Sequence, residues 1–266
     1  MTVKIEDTED KIIIELSKLI KDGKDTSFLL KQYEQSQNFV LRKGAWAYFH
    51  YYRRIKEKPR YDYDQFLYKH GKAWDDFLLS AAKVICGCGQ ISIETLNISK
   101  KNMYLTWHFP EYPLFSKLFS SNSLVFIARD AAWMQKTLKK DNLFNFKKSK
   151  LKTILKKFQE GYPVTAMMDF CYPETNSINT TFLGYPARTP VGILKLGYQY
   201  GYNINVLGWN GTSPEILATF NSHDCSLYDQ VSIINNKFEK NILRDPTVWL
   251  LWSSVDHRWV GVDYNY

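Results

Sequence analysis

The spacing of apolar positions changes after Gly87, from helical periodicity to short β-rich runs separated by amphipathic stretches. Before that point Ile12, Ile13, Leu16, Leu19 and Ile20 recur at helical intervals and predict one amphipathic helix, and Leu29, Leu30, Tyr33 and Phe39 suggest a second. Residues 45–68 carry many aromatic and basic groups around Lys58-Pro59, where proline restricts the preceding residue and breaks helices. Trp74, Phe77, Leu78, Ala81 and Val84 then fall on one side of a helix predicted over 74–85.

Beyond Gly87, Tyr104-Trp107, Ser123-Ala128, Val164-Asp169 and Asn203-Leu207 read as strands. Between them Leu151, Ile154, Leu155 and Phe158 form an apolar stripe, and Gly161 stands where a helix C-cap belongs. A continuous apolar run, Val164-Met168, follows at once, which gives helix, tight turn and buried strand. Pro190 to Tyr200 predicts another helix, with Pro190 near its first turn and Gly201 at its end. Strands alternating with crossover helices argue for an α/β fold, a central mixed and largely parallel sheet flanked by helices. A helical N-terminal segment over 1–75 is expected to precede an α/β domain over 76–266.

Composition narrows the functional classes. A chain of 266 residues with 45% hydrophobic residues can bury a sizeable core. The four cysteines, Cys86, Cys88, Cys171 and Cys225, are too few and scattered for a disulfide scaffold, and no secretory signal pattern opens the sequence. Small buried thiols in a reducing cytoplasm are expected. Cys86-Gly87-Cys88 has no partner pair at zinc-like spacing, so no metal site is expected. No stretch reaches the roughly 18 consecutive apolar residues that a membrane span needs. The net charge of +8 is uneven, with nine lysines between Lys136 and Lys157. That patch fits an acidic carrier protein, an anionic membrane surface or nucleic acid, or is a solvated helix face. Phe144, Phe146 and Phe158 interleave it, as base stacking would need, yet helical burial explains their positions better, and no nucleic-acid-binding motif accompanies them.

The candidate chemistry centres on Thr106-Trp107-His108-Phe109-Pro110-Glu111-Tyr112-Pro113. A short β-prone run leads into it and two prolines then bar regular ladder pairing, which puts His108 at the end of a strand. Three segments in order resemble the bacterial lipid A late acyltransferases of the lysophospholipid acyltransferase-like superfamily, from about Leu79 to Arg258. The first is Trp107-His108-Phe109-Pro110-Glu111-Tyr112-Pro113, similar to the family's His-Phe-Gly-Asn-Trp-Glu block. The second runs from Phe158-Gln159-Glu160-Gly161 through Val164-Thr165-Ala166-Met167-Met168-Asp169 to Thr181-Phe182-Leu183-Gly184-Tyr185-Pro186-Ala187-Arg188-Thr189-Pro190-Val191-Gly192, and it is the most specific. The third, from Asn236 to Trp249, resembles the closing helix and Pro-x-x-Trp segment of those enzymes.

The resemblance implies a glycerolipid acyltransferase-like fold. It also implies acyl transfer from an acyl carrier protein or coenzyme A thioester to a hydroxyl or amine acceptor. The thioester is a co-substrate, and no bound cofactor is implied. His108 would be the general base, oriented by a carboxylate five residues on. This sequence departs from the family there, because that position is Pro113, which neither accepts a hydrogen bond nor carries charge. Glu111, three residues after His108, and Asp169, at the end of a strand, are the two carboxylates that can stand in. Without either, the histidine could still act as a base, more slowly, or the fold would serve binding or a partner instead of catalysis. Arg129 matches a basic position near the family's site and could hold phosphate by two parallel hydrogen bonds, or pair with Asp130 or Asp169. Arg188, in an Ala-Arg-Thr-Pro turn expected just before a helix, could likewise meet an anion. The family's members usually begin with a hydrophobic anchor helix, whereas the first helix here is amphipathic. A soluble acceptor is therefore expected, with the protein in the cytoplasm or resting on the inner face of the membrane.

Overall fold

The computed structural model describes residues 5–88, 98–120, 123–127, 134, 143–145, 151–172 and 175–264. Four helices come first: α1 (Ile5–Lys21), α2 (Ser27–Ser36), α3 (Asn38–Ile55) and α4 (Tyr63–Cys86). The break around Lys58-Pro59 falls between α3 and α4, as the sequence predicts. The fourth helix, however, starts eleven residues before the predicted Trp74, because Phe66, His70, Gly71 and Ala73 extend its buried stripe backwards. A capping box fixes that start: the Asp62 carboxylate accepts from the Gln65 N–H at 2.8 Å while the Gln65 side chain accepts from the Asp62 N–H at 3.3 Å. This helix runs unbroken through residues 75 and 76, and one core cluster takes in residues from both sides of that boundary.

The α/β part follows as β1 (Asn102–Thr106), α5 (Tyr112–Ser120), β2 (Leu124–Ile127), β3 (Leu143–Asn145), α6 (Leu151–Gln159), β4 (Val164–Met167), β5 (Ser177–Phe182), β6 (Tyr185–Pro190), α7 (Gly192–Tyr200), β7 (Asn203–Trp209), β8 (Pro214–Asn221) and α8 (Leu227–Ile242). Two 3₁₀ turns, Pro246–Val248 and Leu250–His257, close the chain. Six strands form one sheet in the order β3-β2-β4-β1-β7-β8, parallel except for the antiparallel β7–β8 pair. The architecture is α/β, with a mixed, mostly parallel sheet flanked by helices and a helical N-terminal segment. Parallel strands are covered on both faces, and Met103, Tyr104, Leu105 and Thr106 of the central β1 are accordingly all buried.

The remaining two strands make a separate hairpin, β5–β6, that the sequence reading missed. Its two-residue turn puts Leu183 at φ +49° and Gly184 at φ +70°, the pair of left-handed residues that tight hairpins require. Leucine tolerates that conformation poorly, and two contacts hold it there: its side chain is fully buried and its N–H donates to Glu239 Oε2 at 2.9 Å. Buried polar pairs also lock α8 onto the sheet. Asn241 Oδ1 accepts from Trp107 Nε1 at 3.0 Å and from the Trp209 N–H at 2.9 Å. The approach is close enough that any Cβ at Gly208 would collide with Asn241. Among the described residues no helix is long and apolar enough to cross a membrane.

On the buried face of α4, His70 is fully buried with Nδ1 2.8 Å from the Thr247 carbonyl and Nε2 without a partner. Burial outweighs that hydrogen bond and pushes its pKa from 6.5 down to about 4. The unfolded chain therefore binds this proton below about pH 6.5 and the folded chain only below about 4, so stability is lost as pH falls between those values. Urea denaturation should show a loss from this residue of about 3 kcal/mol across the window. His70→Gln, which keeps a donor for Thr247, should shrink the pH dependence by a comparable amount; an unchanged dependence would mean that His70 is not the group responsible.

Candidate active site

Register places the site. Strands β1 and β4 pair in parallel with Thr106 opposite Met167, and two residues further along each chain stand His108 and Asp169. Both therefore leave the sheet at its carboxyl edge, side by side, where open α/β sheets place ligands. The Met168 N–H donates to the Thr106 carbonyl at 2.9 Å, which extends the ladder almost to the two side chains.

Asp169 is fully buried, and its two oxygens receive three donors. Oδ1 lies 2.7 Å from His108 Nδ1, and Oδ2 accepts from the His108 backbone N–H and from Trp249 Nε1, both at 2.8 Å. Burial alone would raise the carboxyl's pKa, but the His108 ring, the His108 hydrogen bonds and the Trp249 N–H outweigh it and hold it below the ordinary value. An ionised carboxylate only accepts, so the proton between the pair sits on Nδ1, and in the neutral ring the lone pair of His108 is on Nε2. That nitrogen has no hydrogen-bond partner among the described residues, and the His108 side chain keeps 23% of its surface exposed while that of Asp169 keeps none. The Leu250 N–H donates to the His108 carbonyl at 3.2 Å, and Tyr112 meets the ring edge-on at 5.0 Å. Backbone, ring and carbonyl of His108 are all fixed, with one basic nitrogen left open.

Glu111 is placed differently. It directly precedes α5, and the charges that act on it are Asp76 and Lys83 of α4; no hydrogen bond joins it to His108. Its Oε2 is buried without a partner, and burial pushes its pKa from 4.5 up to about 7. Pro113 is the second residue of α5, where a helix has no use for the missing N–H. The position that bears an acid in the resembling family therefore starts a helix here.

Arg188 is not in a turn before a helix, as the sequence suggested, but in β6, with α7 beginning only at Gly192. Alternation along the β5–β6 hairpin claims it for a strand. Its N–H donates to the Arg258 carbonyl at 2.8 Å, and one guanidinium nitrogen donates to the His257 carbonyl at 3.4 Å. The charges of Arg188 and Arg258 both act on Cys171, two residues beyond Asp169, although burial raises that thiol's pKa overall. Arg129 lies outside the described residues. So do Phe146 and six of the nine lysines between Lys136 and Lys157. On α6, Lys156 pairs with Glu160 at 3.8 Å, and Lys157 lies 3.8 Å from the Tyr162 ring centroid. Phe144 and Phe158 are buried and offer no stacking surface. Of the cysteines expected to be buried thiols, Cys171 alone is buried and Cys88 is exposed. Among the described residues no group of three or more potential ligands could hold a metal ion.

Sequence reasoning passed over the donor role of Trp249. It noted the Pro-x-x-Trp segment, but nothing in the local pattern says that the indole N–H points at a carboxylate 80 residues earlier. Compared with protein-family models and with curated proteins, the chain matches none.

The raised pKa of Glu111 sets a pH dependence of opposite sign to that of His70. Folded Glu111 keeps its proton up to about pH 7 and the unfolded chain loses it near 4.5, so its contribution to stability is complete at low pH and lost as pH rises through that window. Glu111→Gln should gain stability over the parent when urea melts are compared at about pH 8, and gain less at about pH 5. An equal difference at both values would show that the carboxyl ionises no differently in the fold.

Proposed function

We propose that this protein is an acyltransferase, moving an acyl group from an acyl carrier protein or coenzyme A thioester to a hydroxyl or amine acceptor. The observation that carries the reading is the His108–Asp169 pair at the carboxyl edge of a parallel sheet, with Nδ1 tied to a buried carboxylate and Nε2 open. Support also comes from the resemblance of three ordered segments to the lipid A late acyltransferases. In that family a carboxylate five residues after the histidine serves; in this reading Asp169 takes its place from the neighbouring strand.

The chemistry proceeds in two steps. The acceptor's O–H or N–H hydrogen-bonds to His108 Nε2, which takes the proton as the oxygen or nitrogen attacks the thioester carbonyl. The tetrahedral intermediate then expels the thiolate, and the imidazolium returns the proton to sulfur. Asp169 stabilises the imidazolium formed between these steps and keeps the ring in the tautomer the reaction needs. Arg188, whose charge reaches the loop just beyond Asp169, is proposed to meet a phosphate of the donor or acceptor. The lysine-rich region around α6 is proposed to receive an acidic carrier protein, or to rest on anionic lipid. Nucleic-acid binding is the weaker reading, since two of the three phenylalanines that would stack bases lie in the core.

Incubation with a panel of acyl carrier protein and coenzyme A thioesters, following acyl loss and transfer, tests the proposal. His108→Ala and Asp169→Asn should each lower the transfer rate by about two orders of magnitude or more, with folding confirmed by circular dichroism. Glu111→Gln should retain it. Undiminished transfer in folded His108→Ala rejects the mechanism, and no acyl loss from any thioester by the parent protein rejects the activity.

A further inference from the structure

Arg258 is a fully buried cation with no use in the chemistry above. It is 1% exposed, immediately after the second 3₁₀ turn. Its Nε donates to the Arg188 carbonyl at 3.3 Å, and Nη2 donates to Thr189 Oγ1 at 2.9 Å and to Asn235 Oδ1 at 3.0 Å. All three acceptors are neutral, and Nη1 is buried with no hydrogen-bond partner. A buried charge held this way is unfavourable compared with a well-packed apolar side chain, so folding alone does not account for it.

Its surroundings lead to the dyad by a continuous series of contacts. The guanidinium carbon lies 3.8 Å from the centroid of the Phe182 ring. Phe182 meets Trp249 edge-on, with ring centroids 5.4 Å apart and an interplanar angle of 72°. Trp249 Nε1 donates to Asp169 Oδ2, and Asp169 Oδ1 pairs with His108 Nδ1. Burial lowers the pKa of Arg258 to about 10, while the charges of Asp169 and Cys171 oppose the fall, so the guanidinium and the dyad carboxylate feel each other.

We propose that Arg258 is a positioning residue of the His108–Asp169 pair, acting through Phe182 and Trp249 to fix the carboxylate and backing it with a buried positive charge. The inference rests on the reading of His108 as a proton acceptor oriented by Asp169. Trp249 transmits the effect because its indole is wedged by edge-on contacts with Phe182 and with Trp252, whose ring centroid is 4.9 Å away. With the wedge in place Oδ2 stays on the indole and Oδ1 stays on Nδ1. Loss of the cation would loosen the wedge and leave a more strongly proton-attracting carboxylate beside the imidazole.

The test measures His108 itself and needs no acyl donor. Diethyl pyrocarbonate modifies only unprotonated imidazole, and mass spectrometry of the His108 peptide gives the modification rate at each pH, with the exposed His223 as internal reference. In folded Arg258→Leu the pH of half-maximal His108 reactivity should rise by about half a unit or more while that of His223 stays put. Arg258→Lys, which keeps the charge, should return it towards the parental value. A His108 profile that superimposes on the parent's in folded Arg258→Leu overturns the proposal. Should that variant not fold, Phe182→Leu carries the same test, since it keeps the guanidinium and removes the ring between it and Trp249; an unshifted profile there overturns the proposal equally. A shifted profile in a protein that transfers no acyl group would uphold the positioning role and reject the transferase, and transfer with an unshifted profile would do the reverse.

Discussion

The carboxylate of Asp169 holds three separate parts of the chain to one point. Taking an ionised carboxylate fully out of water costs several kcal/mol unless its lone pairs are met. Here they are met by the backbone and ring of His108 at the end of β1 and by the indole of Trp249 between the two 3₁₀ turns. The strand that carries Asp169, the neighbouring strand and the C-terminal segment are therefore bound to one another by a group that none of them can release cheaply. The same three bonds that make burial tolerable also aim the histidine, so stability and site geometry share one cause.

Around this point the fold uses buried polar pairs where apolar contacts would leave the geometry loose. Asn241 ties Trp107, one residue before His108, to α8 and to the end of β7. Asn235 binds Thr180 and Thr189 of the hairpin together with Arg258. These hydrogen bonds have fixed directions, whereas hydrophobic contact has none, and each pins an element that would otherwise be free to slide over the sheet. The hairpin turn at Leu183 belongs to the same scheme: a leucine in a left-handed conformation persists because burial and the bond to Glu239 determine it from both sides.

Much of this was legible along the chain wherever a local rule and the final packing agreed. The stripe through Ile154 and Phe158, the turn at Gly161 and the run from Val164 gave helix, turn and strand as observed, because the same residues that set periodicity also fill the core. His108 at a strand end was readable from the β-prone run before it together with Pro110 and Pro113. The early start of α4 was missed because His70 and Gly71 do not look like core residues, and the β5–β6 hairpin was missed because Leu183-Gly184 is an unusual turn pair. Arg188 was misplaced with it.

By itself the sequence determined the α/β class, the strands β1, β2, β4 and β7 in their order, and that His108 stands where a strand gives way to a turn, since periodicity and proline chemistry act over a few residues. Which carboxylate faces that histidine was decided only by the tertiary structure. Glu111 is near in sequence, yet it flanks the start of α5 and is acted on by the charges of α4, and Asp169 is 61 residues away yet one strand over in register. Parallel pairing brings distant residues level, and that alignment, together with an indole from the end of the chain, is a property of the assembled sheet that no local pattern encodes.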